Sequence, residues 1–200
     1  MSVSVCSIDR FENKGVTEPY IATLSEGEKH FTAFIKLKNN PEGHRCLINE
    51  LISYRLASSL GVLMPSCGVA TINDETKDNT YKADISNNLG NCFFSSQIEM
   101  AFTLHERIMK YIENKEIYEK IIMFDHLIYN SDRNMGNLLV RGKIGGKVLY
   151  VIDHTHVFKN QSIWDANCLL RGIKELDYND DTIIESNVVY DLSIVPCEFF

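Results

Sequence analysis

The loop "YNSDRNMGNLLV", Tyr129 to Val140, places Asn130, Asp132, Arg133, Asn134 and Asn137 at one turn between apolar segments. Asp132 and Asn137 stand five residues apart, and Asp153 ends the run "VLYVID" that follows. A hairpin over the intervening residues returns Asp153 beside the loop, because its strands run antiparallel. Two carboxylates and an amide oxygen then meet. Hard oxygen donors of this kind suit Mg²⁺, which takes one or two carboxylates and completes its shell with phosphate oxygens. The second carboxylate is left to accept a proton from an attacking hydroxyl. That division of labour is the one phosphoryl transfer requires.

The first half offers the cation that such chemistry needs. Lys36 closes "HFTAFIKL", and Glu50 lies at the edge of the apolar face of the segment "INELISYRLASSLG", on the side of Ala57. An ion pair between the two would steady the lysine against phosphate oxygens. Each residue also has a plain reading. Asn, Asp and Gly in a loop serve turns. A lysine at a strand end blunts an edge, and a glutamate on a helix is usually a solvated charge. His154 and His156 form an H-x-H pattern around Thr155; without further spaced ligands, loop packing or hydrogen bonding is expected of them.

The elements that must position these residues follow from periodicity. "PYIATL" and "HFTAFIKL" flank "SEGEK", so a hairpin with Gly27 in its turn is predicted. Next, "NNPEGHRCLINELISYRLASSLG" reads as a helix with Pro41 near its start and Gly61 past its end. Its predicted apolar face is Ile48, Ile52, Leu56 and Leu60, with Leu47 and Leu51 beside it. "PSCGVATI" and "NCFFSS" read as strands. "IEMAFTLHERIMKYI" is predicted helical, with Ile98, Phe102, Met109 and Ile112 on one face. "EIYEKIIMFDHLIY" repeats the pattern with Ile117, Ile121, Phe124 and Ile128. "NLLVRGKIGGKVLYVID" is the hairpin, turning at Gly142 to Gly146. The expectation is α+β, with a strand-rich first half, a helical second half and a cleft between them.

The totals narrow the classes. Two hundred residues bury one core or two small lobes. With 44% apolar and 24% charged residues the chain reads as globular. A net charge of −7 argues against a broad nucleic-acid face, and "KELDYNDDTIIES" reads as solvated surface. "MSVSVCSIDRFENKG" has no apolar core of signal length and no run long enough to span a membrane occurs, so a soluble cytoplasmic protein is expected. The six cysteines, Cys6, Cys46, Cys67, Cys92, Cys168 and Cys197, form no C-x-x-C pair and read as free buried thiols. Trp164 is expected to anchor the end segment.

"IYNSDRNMGNLLV" with "VIDHTHVF" resembles the catalytic and metal-binding segments of HipA-like kinases, which share a fold with phosphatidylinositol kinases and, more distantly, protein kinases. "GEKHFTAFIKLKN" and "INELISYRLASSLGVLMPS" resemble that family's small lobe, so the likeness runs from about Pro19 to Trp164. The resemblance implies a two-lobed, kinase-like fold: residues 1–95 a small β-rich lobe with one helix, residues 96–200 a reduced helical lobe. It implies Asp132 as catalytic base, Asn137 and Asp153 as metal ligands, and Lys36, chosen over Lys38 on the same strand face, as the phosphate-contacting lysine with Glu50 as partner. Arg133 and Asn134 become loop-shaping or phosphate-neighbouring residues, with Asn134 counted toward the nucleotide. "FFSSQIE" would be the hinge for adenine, through Ser96, Gln97 and Ile98.

The implied function is ATP- and Mg²⁺-dependent transfer onto a protein serine or threonine, in a toxin-type growth regulator with an antitoxin-like partner. The order Asp132-Arg133 differs from the Arg-Asp of protein kinases, no G-x-G-x-x-G is present, and Asp153-His154-Thr155 replaces Asp-Phe-Gly. Only 47 residues follow Asp153, which keeps open a nucleotide-binding module acting through partners; a metal-dependent hydrolase using Asp153, His154 and His156 is a further alternative.

Overall fold

A computed structural model describes residues 2–13, 15–109, 111–112, 116–143 and 146–158. The acidic segment, Trp164, Cys168 and Cys197 lie outside the described residues, as does the tip of the second hairpin. The architecture is α+β. Its described residues divide into two units, one from Met1–Leu51 and Pro65–Gln97, the other from Ile52–Met64 and the chain from Ile98 on.

The first unit is a strand assembly. β1 (Val3–Phe11), β2 (Tyr20–Glu26), β3 (Lys29–Lys36), β4 (Cys67–Ile72), β5 (Lys77–Asp78) and β6 (Gly90–Ser96) pair in the order β2-β3-β6-β4-β1-β5. β1 also pairs with β2, from Val3↔Glu26 to Phe11↔Tyr20, so five strands close into a barrel with β5 outside the ring. Closure leaves no open edge along those strands. Inside lie Val5, Ile8, Ala22, Leu24, Ala33, Ile35, Ala70 and Ile72, each at most 2% exposed. The β2–β3 turn places Gly27 at φ 60 with no left-handed residue after it, the pattern of a type II′ hairpin. β1 and the closed ring were not foreseen. A short α2 (Ile85–Asn88) caps the segment before β6.

α1 (Arg45–Leu60) forms as expected and stops at Gly61, φ +69. Its buried face is not the expected one. Cys46, Asn49, Glu50, Ser53 and Ala57 are buried, whereas Ile48, Ile52 and Leu60 are 41%, 38% and 37% exposed. Small and polar residues at helical spacing let the helix pack closely, and an ion pair described below fixes which side turns inward. Rank by hydrophobicity could not foresee that.

In the second unit, α3 (Glu106–Met109) and α4 (Glu116–Ile128) accompany a three-stranded sheet of β7 (Ala101–Thr103), β8 (Leu138–Lys143) and β9 (Gly146–Val151). The helix expected over 98–112 is corrected: Ala101–Thr103 pairs with β8 at Ala101↔Arg141, Phe102↔Val140 and Thr103↔Leu139. The free edge of β8 captures this stretch, Met100 turns into it at φ 58, and Phe102 is 42% exposed. Sheet pairing overrode a helical pattern carried by few residues. α4 follows its period, with Ile117, Ile121, Phe124 and Ile128 buried among Leu138, Val140, Leu149 and Val151. Ala57 and Val62 belong to the same core. Among the described residues, no helix is long and apolar enough to cross a membrane.

Candidate active site

α4 ends in a Schellman motif: Tyr129 takes φ 50, its N–H bonds to the carbonyl of His126 at 3.2 Å, and Asn130 N–H reaches the carbonyl of Asp125 at 2.9 Å. A non-glycine residue in that conformation costs about 1 kcal/mol, so the surroundings must hold it. They do so through Asp125, a fully buried carboxylate. Asn130 Nδ2 donates to Asp125 Oδ1 at 2.8 Å, and Arg133 donates Nε to Oδ2 at 2.9 Å and Nη2 to Oδ1 at 3.0 Å. Asp125 went unnoticed in the sequence, yet it sits inside the apolar stripe of α4, where a carboxylate needs a cation; Arg133 follows eight residues later.

The loop's asparagines each have separate work. Asn130 Oδ1 accepts from Asp132 N–H at 3.0 Å, an Asx turn. Asn134 caps the 3₁₀ turn Met135–Asn137 by accepting from Gly136 N–H at 2.8 Å, and donates Nδ2 to the carbonyl of Asp132 at 3.0 Å. Asn134 thus shapes the loop. Asn137 donates Nδ2 to that same carbonyl at 2.8 Å, which turns its amide oxygen away from it.

The expected hairpin pairs Leu138↔Val151 through Lys143↔Gly146 and carries Asp153 back to the loop. Ile152 N–H bonds to the carbonyl of Asn137 at 3.0 Å, and Ser131 N–H bonds to the carbonyl of His156 at 3.3 Å, so Asp153 lies between two ties to the loop. Asp153 adopts φ 58, a strained backbone that Asp tolerates better than most residues and that concentrates at functional sites. Thr155, itself buried, donates Oγ1 to Asp153 Oδ1 at 2.9 Å. The Asp132 side chain remains 47% exposed, with His156 Nδ1 at 3.7 Å from its Oδ2. That neighbour was missed in the sequence, where the two lie 24 residues apart. His154 is buried edge-on against Phe124, ring centroids 5.5 Å apart, with Nε2 at 2.8 Å from Arg133 Nη2. It is engaged in packing and hydrogen bonding.

In the first unit, Lys36 Nζ donates to Glu50 Oε1; the side chains are 12% and 3% exposed. Glu50 is therefore no solvated helix charge. β3 turns Ala33, Ile35 and Leu37 into the barrel and leaves Lys36 on its outer face. Lys38 goes elsewhere, donating to the carbonyl of Leu89 at 2.8 Å. Two thiols share this neighbourhood: burial pushes Cys46 up to about 11 and Cys67 up to about 12. In the segment taken as a hinge, Ser96 N–H bonds to the carbonyl of Ser66 at 2.8 Å and Gln97 N–H to that of Thr32 at 2.9 Å. Those two amides are engaged within the barrel unit and cannot also donate to a base.

A family model described as HipA-like kinase matches residues 5–168. The chain belongs to the HipA-like kinase family. Membership makes this HipA-like protein a kinase, a phosphoryl-transfer protein in general terms. No curated protein matches it. Among solved structures, it is similar to WaaP in complex with acyl carrier protein, with 8% identity, 94% of this chain and 73% of that chain covered, and a TM-score of 0.48. For a HipA-like kinase the donor set is apt: the amide oxygen of Asn137 and the carboxylate of Asp153 are hard donors that could hold a divalent cation and leave most of its shell to phosphate and water.

Proposed function

We propose that this HipA-like kinase transfers the γ-phosphoryl group of ATP, with Mg²⁺, onto a protein serine or threonine hydroxyl. One observation carries the reading. Asn137 is bonded through its side chain to the backbone of Asp132, and through its carbonyl to Ile152, the residue before Asp153. The base and both metal ligands are thereby parts of one hydrogen-bonded unit.

The chemistry then divides as follows. Mg²⁺, when bound, supplies charge neutralisation on the phosphates, and Asn137 and Asp153 would hold it. Asp132 accepts the proton of the acceptor hydroxyl as the oxygen–phosphorus bond forms and the bond to the ADP oxygen breaks. Its half-exposed side chain suits a group that must meet an incoming substrate. Lys36, steadied by Glu50, contacts the phosphates. With the Ser96 and Gln97 amides engaged and the Ile98 carbonyl accepting from Ala101 N–H at 3.3 Å, adenine would meet other groups of Ser96, Gln97 and Ile98. Residues 1–95 would handle the nucleotide and 96–200 the transfer, in the manner of a two-lobed kinase. The biological setting we propose is growth control in the cytoplasm, with an antitoxin-like protein as partner.

Calorimetry of ATP with Mg²⁺ tests the assignment. Asp153→Asn is expected to lose Mg²⁺-dependent ATP affinity as well as turnover. Asp132→Asn is expected to keep that affinity and lose about 10²–10⁴ in rate, because a general base acts only in the transition state. Reversed results would exchange the two roles. Wild-type behaviour in both variants would reduce the loop to a turn. Growth of bacteria expressing the wild type or Asp132→Ala at equal levels tests the setting; equal curves would refute it.

A further inference from the structure

Arg133 is fully buried, and each of its five N–H donors has an acceptor. Nε and one Nη2 hydrogen serve Asp125, at 2.9 and 3.0 Å. The other Nη2 hydrogen serves His154 Nε2 at 2.8 Å. Nη1 serves the carbonyls of Asn137 at 3.1 Å and Ile152 at 3.0 Å. A guanidinium only donates, so His154 Nε2 is the acceptor and its ring proton sits on Nδ1.

This geometry decides between the two roles that the loop arginine could have. With no exposed surface and no donor left over, Arg133 cannot grip a phosphate. Its two carbonyl partners belong to Asn137 and to the residue immediately before Asp153. We infer that Arg133, anchored to α4 by Asp125, is a positioning residue that sets the spacing of Asn137 and Asp153, the two metal ligands. The inference rests on the phosphoryl-transfer reading of those ligands.

The Asn137 carbonyl already accepts the Ile152 amide at 3.0 Å, and the guanidinium clamps the same two residues from the side through a planar fork. Asp125 fixes that fork by a bidentate pair, and Asn130 fixes Asp125. A lysine would keep the charge but offers three donors from one point, so it cannot reach Asp125, both carbonyls and His154 together. Outer partners of metal ligands typically govern about 10–100-fold in metal affinity.

The test uses Mn²⁺ as a spectroscopic stand-in for Mg²⁺, titrated by electron paramagnetic resonance into the full chain with ATP present. Amide exchange is followed in parallel. The variants are Arg133→Lys, Asp125→Asn and, as a core control, Ile121→Ala, a fully buried residue of the same core. Expected are a Mn²⁺ affinity at least about 10-fold weaker in Arg133→Lys and faster exchange over 131–137 and 151–156, with barrel amides as in wild type. Asp125→Asn keeps the carbonyl clamp but loosens its anchor, so a smaller loss in the same direction is expected; it carries the test if Arg133→Lys does not fold. Ile121→Ala should lower thermal stability and leave Mn²⁺ affinity near that of wild type. Wild-type Mn²⁺ affinity in Arg133→Lys, or an equal loss in Ile121→Ala, would overturn the inference while leaving the kinase reading intact. If wild type itself binds no Mn²⁺ with ATP, the reading of Asn137 and Asp153 falls, and this inference with it.

Discussion

Lys36→Met leaves Glu50, whose side chain is 3% exposed, as a buried carboxylate without its cation. Surface ion pairs contribute about 0–1 kcal/mol, but removing one partner of a buried pair costs about 3–5 kcal/mol. Exposures of 12% and 3% place this pair in the second regime. Because Lys36 keeps some contact with water, we take the lower end, about 3 kcal/mol. Glu50→Gln alone strands the ammonium instead, and should cost less, since a lysine tip can swing toward solvent. The double variant, Lys36→Met with Glu50→Gln, leaves no charge buried and should return to within about 1 kcal/mol of wild type. Urea unfolding followed by circular dichroism reads this directly. With a slope of about 2 kcal/mol per molar, the single variant's midpoint should fall by about 1.5 M and the double variant's by under about 0.5 M. Kinase activity should stay absent in the double variant despite its recovered stability. If the double variant is no more stable than Lys36→Met, or if Lys36→Met unfolds like wild type, the pair does not organise the first unit.

Burial pushes the thiols of Cys46 to about 11 and of Cys67 and Cys92 to about 12, so the folded protein keeps them protonated where the unfolded chain ionises them. Stability from this source is full below the unfolded value, taken as 9.0, and is lost as pH rises toward the folded values. At pH 10 each thiol should cost about 1 kcal/mol relative to pH 8, and Cys92→Ala should flatten that slope in urea unfolding. The corrected face of α1 predicts that Ile48→Gln and Ile52→Gln each cost under about 1 kcal/mol, while Phe124→Ala, in the core of the second unit, costs about 3–5 kcal/mol. Equal losses would return the buried face to the isoleucines.

Local chemistry made much of this protein legible from its sequence. The β2–β3 hairpin, the span of α1, the stripe of α4 and the β8–β9 hairpin are written in alternation, 3.6-residue spacing and Gly punctuation, all of which act within a few residues. The loop around Asp132, and the return of Asp153 to it, follow from the same local rules, and the family follows from the residues in that loop. Tertiary structure alone decided the rest. Closing β1 onto β2 and β4 depends on partners scattered between residues 3 and 72. The stretch 101–103 became a strand because β8 had an edge to fill. α1 turned Glu50 inward, against its own hydrophobic ranking, because Lys36 was there to meet it. Arg133 could have faced a phosphate or the protein interior on sequence grounds. Five acceptors, drawn from Asp125, Asn137, Ile152 and His154, settled it. In each case the outcome turned on which partner the folded chain brought within reach, even where, as for Arg133 and Asp125, the two lie only eight residues apart, and periodicity does not rank such partners.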